Sequence, residues 1–283
     1  MTRVAILGSP DKPLVASTLE RLRVWLAERA DLVFAEQTHE TRRVLPHRPE
    51  LLFVLGGDGT LISAVHDLGC EQIPIVAVNL GKLGFLAEFT IDQIERDGDY
   101  LFDDDLPVTR RIMLRVDMHR DGEPLRSTCA VNDCVVQAGP PYRMIEIRVS
   151  VDGEDVAEMR GDGLIVATPS GSTAHNLSAG GPILEPTSAA FILTPICPHA
   201  LTFRPLALDA QRVVSARVIR ANEGTTVSVD GKTFAPLTAA DRIEVRRFPA
   251  DFLLVRNPRR SAWYALRRKL MWGLNPTNNH AAD

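Results

Sequence analysis

The feature that most constrains the fold is an apolar run at residues 51–55 (LLFVL) that leads directly into GGDGT at 56–60. The run is typical of a buried strand, and the apolar spacing after residue 60 is typical of the start of a helix. A strand, a glycine turn and a helix in this order allow backbone N–H groups to reach a phosphate. The sequence therefore predicts a phosphate-binding turn at the carboxyl end of a strand.

Asp58 is the unusual member of this turn. A carboxylate beside a phosphate repels the ligand unless it binds a metal or takes a proton. Gly57 and Gly59 on either side let the backbone approach a ligand closely. We interpret the pattern as phosphoryl transfer to a hydroxyl, with Asp58 as a base or a metal organiser. The alternative for the pentapeptide taken alone is a tight structural loop.

The composition sets the broad class. The chain has 283 residues, of which 45% are hydrophobic and 24% charged, and this fits a globular protein with room for two domains. The net charge of −4 gives no sign of a nucleic-acid or membrane partner. No apolar run approaches the ~20 residues of a membrane span, and the first strand is not preceded by a signal-peptide core. We expect a cytoplasmic protein.

The cysteines and the acidic residues give no metal-site pattern. The four cysteines form no CxxC pair and lie among apolar residues, so we expect reduced, packed thiols and no zinc. Residues 96–106 are acidic, and we expect a solvated connection there. The sequence predicts no residues that bind a resident metal.

Residues 1 to about 95 alternate strand and helix signals. Strands are predicted at 3–7, 32–35, 51–55 and 73–78, and a helix within 12–30. This pattern predicts a parallel sheet covered by helices, in which ligands bind at the carboxyl ends of the strands. GGDGT and the Asn79-Leu80-Gly81 tripeptide both follow a strand, so we expect them at one edge.

The predicted secondary structure changes after residue 106. Short β-rich runs predict a β-sandwich-like domain, at 113–118, 130–137, 145–151, 164–168, 213–219, 225–229 and 242–246. We therefore predict a Rossmann-like α/β domain at 1–106, completed by about 250–283, and a β-rich domain at 107–249. The basic C-terminal segment predicts a helix that returns to the first domain, with Trp263, Leu266 and Leu270 on its packing face.

A second polar segment lies in the β-rich half. GDG at 161–163 precedes the apolar run 164–167, and TPSGSTAHNLS follows at 168–178. Small residues and hydroxyls leave room for a ligand and supply short-range hydrogen bonds. A cluster of turns is the structural alternative.

Together these segments resemble the NAD kinase family. The resemblance rests on GGDGT, the run NLGKLGFLAE at 79–88, Asn132-Asp133, GDG at 161–163, and TPSGSTAHNLS. Later landmarks are PHAL at 198–201, RPL at 204–206 and Asp230-Gly231, and the similarity extends in order to about residue 273. GGDGT alone is shared with diacylglycerol-kinase-like and phosphofructokinase-like enzymes.

The resemblance implies transfer of the γ-phosphate of ATP to the 2′-hydroxyl of the adenosine ribose of NAD, giving NADP and ADP. It implies Mg²⁺ that enters with ATP, a site between the two domains, and a homo-oligomer, either dimer or tetramer. The phosphoryl-donor range, the use of NADH and feedback by NADP(H) stay open.

Residue roles follow from the same resemblance. Asp58 takes the hydroxyl proton, and Asn132 with Asp133 holds ribose hydroxyls or the adenine side. Phe85 packs against the adenine, with a place in the core as the alternative. Further nucleotide contacts are implied for residues of the second half, namely Arg143, Arg160, Asp162, Thr173, Ala174, His175, Asn176, Leu177, Ser178 and Lys232. Asp230 is interpreted as a hairpin-turn residue.

Three positions depart from the family pattern. His175 stands where relatives have Tyr, Asp133 where Glu is commoner, and Ser63 where many have a basic residue. Two other functions remain as alternatives. A lipid kinase would share GGDGT but not the Asn132-Asp133 or 168–178 segments. A dinucleotide-binding regulatory protein would have little use for Asp58.

Overall fold

The computed structural model describes residues 1–81, 84–261 and 263–272. Lys82 and Leu83 of the motif run, and everything after Trp272, lie outside the described residues. The chain divides into two compact units, Met1–Thr109 with the segment from Leu253 onward, and Arg110–Phe252. The predicted boundary between two domains at residue 106 stays a prediction.

The first unit is built on a sheet with the strand order β2-β1-β3-β4-β18-β5. Its strands are β1 (Arg3–Gly8), β2 (Asp31–Gln37), β3 (Leu51–Gly56), β4 (Ile75–Asn79), β5 (Val108–Arg111) and β18 (Phe252–Val255). The pairs among β1 to β4 are parallel, and β18 joins β4 in parallel. All six residues of β3 are buried, as expected for a strand covered on both faces. The predicted parallel α/β arrangement is confirmed.

The helices of this unit bury apolar residues, except the last one of the described chain. They are α1 (Val15–Leu26), α2 (Asp58–Leu68), α3 (Ile91–Asp97) and, at the C-terminal end of the described chain, α5 (Tyr264–Leu270); α4 (His175–Ser178) belongs to the other unit. Val15, Leu19, Leu22 and Leu26 of α1 are buried, which confirms the predicted face. Two 3₁₀ helices, Thr41–His47 and Gly98–Phe102, complete the unit. No helix among the described residues has the length and apolar content to cross a membrane.

The acidic segment 96–106 is a solvated connection only in part, because Asp99 and residues 103–105 are exposed while other residues of the segment pack. It contains the end of α3 and a 3₁₀ helix, and Leu101 within it is 2% exposed. Asp97 forms ion pairs with Arg96 and Arg259 at 2.8 Å each. Asp97 therefore helps to fix the returning C-terminal chain.

The second unit contains two six-stranded sheets, ordered β10-β9-β14-β17-β6-β7 and β13-β12-β11-β8-β15-β16. The strands are β6 (Leu114–Arg120), β7 (Glu123–Ala130), β8 (Asp133–Gln137), β9 (Ile145–Val151), β10 (Glu154–Gly161), β11 (Gly163–Ala167), β12 (Ala190–Ile196), β13 (Leu206–Asp209), β14 (Val214–Arg220), β15 (Thr226–Val229), β16 (Lys232–Pro236) and β17 (Arg242–Arg247). Every recorded pairing within these sheets is antiparallel.

One apolar core joins the facing sides of the two sheets. Val116 and Ile147 of the first sheet share it with Val136 and Val166 of the second. The opposite face of the second sheet carries a smaller cluster that includes Ile165 and packs against the chain after residue 178. This is a β-sandwich, as the recurring short β-rich runs predicted. The predicted fold class is confirmed.

The predicted strand at 130–137 is wrong in one respect. Residues Ala130 and Asp133 belong to different strands in different sheets, and the chain turns at Val131 and Asn132 between them. Apolar residues on both sides of Asn132-Asp133 concealed this crossing, and only the last two residues of β7 are buried whereas most of β8 is. The crossing exposes the backbone N–H groups of 131–133 to an acceptor from elsewhere in the chain.

Two further expectations hold only in part. Cys129 and Cys134 are buried free thiols, and burial raises the pKa of Cys134, but Cys70 and Cys197 are exposed. Helix α5 has no buried residue, and Trp263 before it is 54% exposed, so the predicted packing face is not buried.

Candidate active site

The glycine turn lies at the carboxyl edge of the first sheet. Strand β3 ends at Gly56 and α2 begins at Asp58. Gly56 is the register partner of Asn79 at the end of β4, and the Leu80 N–H donates to the Gly56 carbonyl at 3.2 Å. The two tripeptides that follow strands thus meet at one edge, as the parallel sheet predicted. A side chain at Gly56 would collide with that of Thr60.

The Asp58 carboxylate is held by three consecutive backbone amides. The Phe85 N–H donates to Oδ2 at 2.7 Å, and those of Leu86 and Ala87 donate to Oδ1 at 3.1 and 3.2 Å. Gly84 lies against the same group, and a Cβ there would overlap the carboxylate. We call this arrangement, Asp58 with the amides of residues 85–87, the Asp58 clamp. It fixes the orientation of the carboxylate and stabilises its charge.

The clamp leaves Asp58 able to accept one more hydrogen bond. A carboxylate offers about four acceptor positions, and the three amides occupy three of them. The remaining position is on Oδ2, which accepts from Phe85 alone among the amides of the clamp. Asp58 itself is half-buried.

A small cavity of about 180 Å³ adjoins the turn. Gly59, Thr60 and Ser63 line it together with Thr38 and His39. Its place beside the N-terminal turn of α2 suits a phosphate oxygen, because N–H groups at a helix start carry partial positive charge. Ser63, one of the departures from the family pattern, faces this space, so the departure lies where a phosphate donor would be contacted.

In the second unit the Asn132-Asp133 segment is held by a similar contact. The carboxylate of Asp230 accepts from the N–H groups of Val131, Asn132 and Asp133 at 2.8, 2.7 and 3.0 Å. We call this the Asp230 clamp. Asp230 has φ +47° and precedes Gly231 at φ +76°, so it also forms the predicted hairpin turn between β15 and β16. The hairpin interpretation was incomplete, since the side chain orients the neighbouring segment.

The TPSGSTAHNLS segment packs directly on the same residues. The Thr168 N–H donates to the Asn132 carbonyl at 2.8 Å, and the Thr168 hydroxyl donates to the Val131 carbonyl at 2.6 Å. Gly171 approaches the Asn132 backbone so closely that a Cβ would collide with it. Two motifs that are 36 residues apart at Asn132 and Thr168 therefore form one cluster.

Asp133 is an acid in an unfavourable environment. It is 3% exposed, and burial together with the nearby charge of Asp230 raises the pKa of Asp133 to about 7. Near neutral pH it therefore exists in both protonation states. Such a group can donate to or accept from a ribose hydroxyl.

The structure separates the predicted contacts of residues 173–178 into two kinds. His175 and Ser178 are exposed, and Thr173, Ala174 and Leu177 are half-buried, so these side chains can meet a ligand. Asn176 is fully buried. Its amide donates to the carbonyls of Ser172 and Pro182 and accepts from Thr194. In this structure Asn176 ties the loop together, and its ligand contact stays a prediction.

Arg143 and Arg160 line one open cavity of about 780 Å³. Arg220, which the sequence did not single out, lines it as well, and Glu146 pairs with Arg160 at 3.3 Å. Asp162 is exposed and interacts with the Cys197 thiol, whose pKa it raises. Lys232 is exposed and begins β16, directly after the Asp230-Gly231 turn.

Sequence reasoning missed both clamps and Gly84. The Asp-Gly pair at 230–231 signalled a hairpin, but nothing near it in the sequence indicates contact with residues 131–133, about a hundred positions away. Gly84 lies within the recognised motif run. The reason for a glycine at this position is the close approach of the Asp58 carboxylate, which only the tertiary structure shows.

A parallel sheet with a strand–GGDGT–helix edge, followed by a β-sandwich unit that carries a second polar cluster, defines a nucleotide phosphotransferase. The model of the ATP-NAD kinase N-terminal domain matches residues 5–106, and that of the ATP-NAD kinase C-terminal domain matches residues 131–257. The chain belongs to the NAD kinase family. The resemblance seen in the sequence is confirmed.

Similar proteins agree. The chain is 38% identical to the NAD kinase of Rhodopirellula baltica over 95% of this chain and 86% of that protein. It is also 38% identical to the NAD kinase of Koribacter versatilis, over 96% and 99%. Yeast NADH kinase complexed with NADH has the same fold, with a TM-score of 0.83 at 24% identity over 100% of this chain and 89% of that one. The NAD kinase from Archaeoglobus fulgidus in complex with ATP gives a TM-score of 0.72 at 26% identity, over 91% and 94%.

Proposed function

We propose that this chain transfers the γ-phosphate of ATP to the 2′-hydroxyl of the adenosine ribose of NAD, forming NADP and ADP. Family membership supports the reaction. The structural observation that carries the mechanism is the Asp58 clamp, which leaves one acceptor position on a fixed carboxylate beside a phosphate-binding turn.

Asp58 is the base in this proposal. A sugar hydroxyl is a poor nucleophile, so a base held within about 3 Å of its proton matters more than high basicity. The amides of residues 85–87 prevent the carboxylate from rotating away, and the free position on Oδ2 receives the proton. The attacking oxygen then forms its bond to the γ-phosphorus while the bond to the leaving ADP oxygen breaks.

The second cluster holds the acceptor nucleotide. Asn132 and Asp133 bind ribose hydroxyls or the adenine side, and the Asp230 clamp keeps their backbone in place. Phe85 packs against the adenine. His175 and Ser178 are exposed at the rim of the 173–178 loop and line the dinucleotide pocket with Thr173, Ala174 and Leu177.

The remaining residues that are predicted to contact the nucleotide are charged. Arg160 and Arg143, which share one cavity, face phosphate. Asp162 binds the nicotinamide amide or a ribose, and Lys232 contacts the substrate.

We propose a homo-oligomer in which a neighbouring copy completes each site, and a cytoplasmic location. Exposure of Arg143 and Arg160 fits contact with another subunit's ligand.

A divalent metal enters with ATP. Among residues 1–81, 84–261 and 263–272, no group of three or more His, Cys, Asp or Glu side chains is placed to hold an ion. In this proposal Mg²⁺ is carried on the triphosphate, and Asp58 is the carboxylate that the GGDGT motif supplies. Mg²⁺ screens the phosphate charge when bound.

The test is direct product analysis. Purified protein is incubated with Mg-ATP and either NAD, NADH, diacylglycerol or no acceptor, while NADP and ADP are measured separately. NADP formed from NAD in equal amount to ADP, and absent without this acceptor, supports the proposal, and NADH would give NADPH. ADP formation with diacylglycerol alone, or tight NAD binding without NADP under any donor, would overturn it.

A further inference from the structure

The Asp58 clamp depends on a loop that the C-terminal segment contacts. Phe85 donates its amide to Asp58, and its ring lies under the ammonium of Lys269, with Nζ 4.2 Å from the ring centroid. This distance is within the ~6 Å range of a cation–π interaction. One residue thus links the carboxylate proposed as the base to helix α5.

Lys269 is not placed there by core packing. No residue of α5 is buried, and Lys269 itself is exposed. The segment before α5 is tied to the same part of the chain by polar contacts. The Asn257 N–H donates to Glu88 at 2.9 Å, and the Arg260 guanidinium donates to Gln93 at 3.3 Å and lies over the Tyr264 ring. These contacts bring the start of α5 to the loop, and Lys269 extends the connection to Phe85.

The loop has an anchored end and a freer end. Leu86 and Ala87 are 3% and 2% exposed, so packing fixes their amides. Phe85 is only half-buried, yet it makes the shortest of the three contacts to Asp58, and on the oxygen that retains an acceptor position. The position of that oxygen is therefore the part of the clamp most sensitive to how the Phe85 ring is held.

We infer that Lys269 is a positioning residue, which holds the Phe85 ring and thereby fixes Asp58 Oδ2 for proton transfer. The inference rests on the proposed role of Asp58. It assigns a function in catalysis to helix α5, through a side chain that contacts the Phe85 ring.

The first test is substitution of Lys269 with residues of similar length. Lys269→Met removes the charge and keeps the stem, and Lys269→Arg keeps a cation that can lie over a ring. We expect Lys269→Met to lower kcat about tenfold, because a small misplacement of a catalytic group is costly, with KM for NAD and ATP changed by less than about twofold. Lys269→Arg should restore most of kcat. Arg268→Met, on the same helix and also exposed, is the matched control and should behave as wild type.

The second test asks whether Lys269 acts through Phe85. In a double-mutant cycle, Lys269→Met should have little further effect on kcat when Phe85→Leu is already present, since both changes remove one contact. An equal fall in both backgrounds would overturn the inference. So would a raised KM for ATP with kcat unchanged, which would indicate a phosphate contact, or full activity of Lys269→Met.

NADP formation by the wild-type protein distinguishes failure of the proposed function from failure of the inference about Lys269. If wild type forms no NADP, the proposed function fails. If wild type forms NADP and Lys269→Met keeps its kcat, the function stands and the inference fails. Thermal unfolding of each variant, expected within a few degrees of wild type, excludes loss of the fold as the cause.

Discussion

The Asp58 clamp and the Asp230 clamp use the same contact for opposite purposes. In both, one carboxylate accepts from three consecutive backbone amides. In the first, the amides belong to a loop and hold the acid, which follows a glycine at the start of a helix. In the second, the acid belongs to a tight turn and holds the loop that carries Asn132 and Asp133.

The surroundings decide which partner is held. Asp58 is half-buried beside a small cavity, so a fixed carboxylate there can meet a ligand. Asp230 lies beside the buried Asp133, whose pKa it helps to raise, and what its clamp presents is the neighbouring segment. Contacts with backbone amides therefore do not by themselves distinguish a functional acid from a structural one. The groups that remain open around it define its role.

The largest effect is expected for Asp58→Asn. The amide cannot take the hydroxyl proton, so kcat should fall by about 10³-fold, within the range of general-base catalysis. NAD affinity, measured by calorimetry, should change only a few-fold. Equal loss of turnover and of NAD binding would mean that Asp58 organises the site and is not a base.

Gly84→Ala tests the Asp58 clamp without changing the acid. The new Cβ would overlap the carboxylate, so the carboxylate or the loop must shift, and we expect about a 10²-fold fall in kcat. Gly81→Ala is the matched control, because a Cβ there meets no atom of the described residues within 4 Å. Similar kinetics for the two variants would show that the position of the carboxylate is not critical.

Asp230→Asn tests the other clamp. The side-chain amide can no longer accept from all three N–H groups, so we expect a loss of about 1–3 kcal/mol in the free energy of unfolding. KM for NAD should rise about tenfold, more than KM for ATP. Asp121→Asn is the control, since Asp121 has a similar turn conformation at φ +52° before Gly122. A larger rise in KM for ATP would contradict the assignment of this cluster to NAD.

The smallest effect concerns pH. Burial raises the pKa of Asp133 to about 7, so between about pH 4 and 7 the folded chain holds a proton that the unfolded chain has released. The contribution of Asp133 to stability should therefore fall as pH rises through this window. Asp133→Asn does not titrate, and its Tm relative to wild type should rise by a few degrees from pH 5 to pH 8. A constant difference would refute the raised pKa.

Much of the architecture could be predicted from local pattern. The run at 51–55 and the apolar stripe of α1 showed a strand and a helix because residues that share a face recur at a fixed period. Where the pattern failed, the reason was tertiary. The sequence predicts one strand at 130–137, yet Ala130 and Asp133 belong to strands of different sheets. The apolar residues of α5 have helical spacing, yet none is buried.

The sequence by itself determined the strand, glycine turn and helix around Asp58, because these depend on residues that are neighbours in the chain. It also determined the family, through motifs in their order. Only the tertiary structure decided which groups hold each acid. Asp58 meets an amide 27 residues away and Asp230 one 98 residues away. Such contacts depend on which strands lie side by side in the sheets. Local residue preferences carry no information about that arrangement.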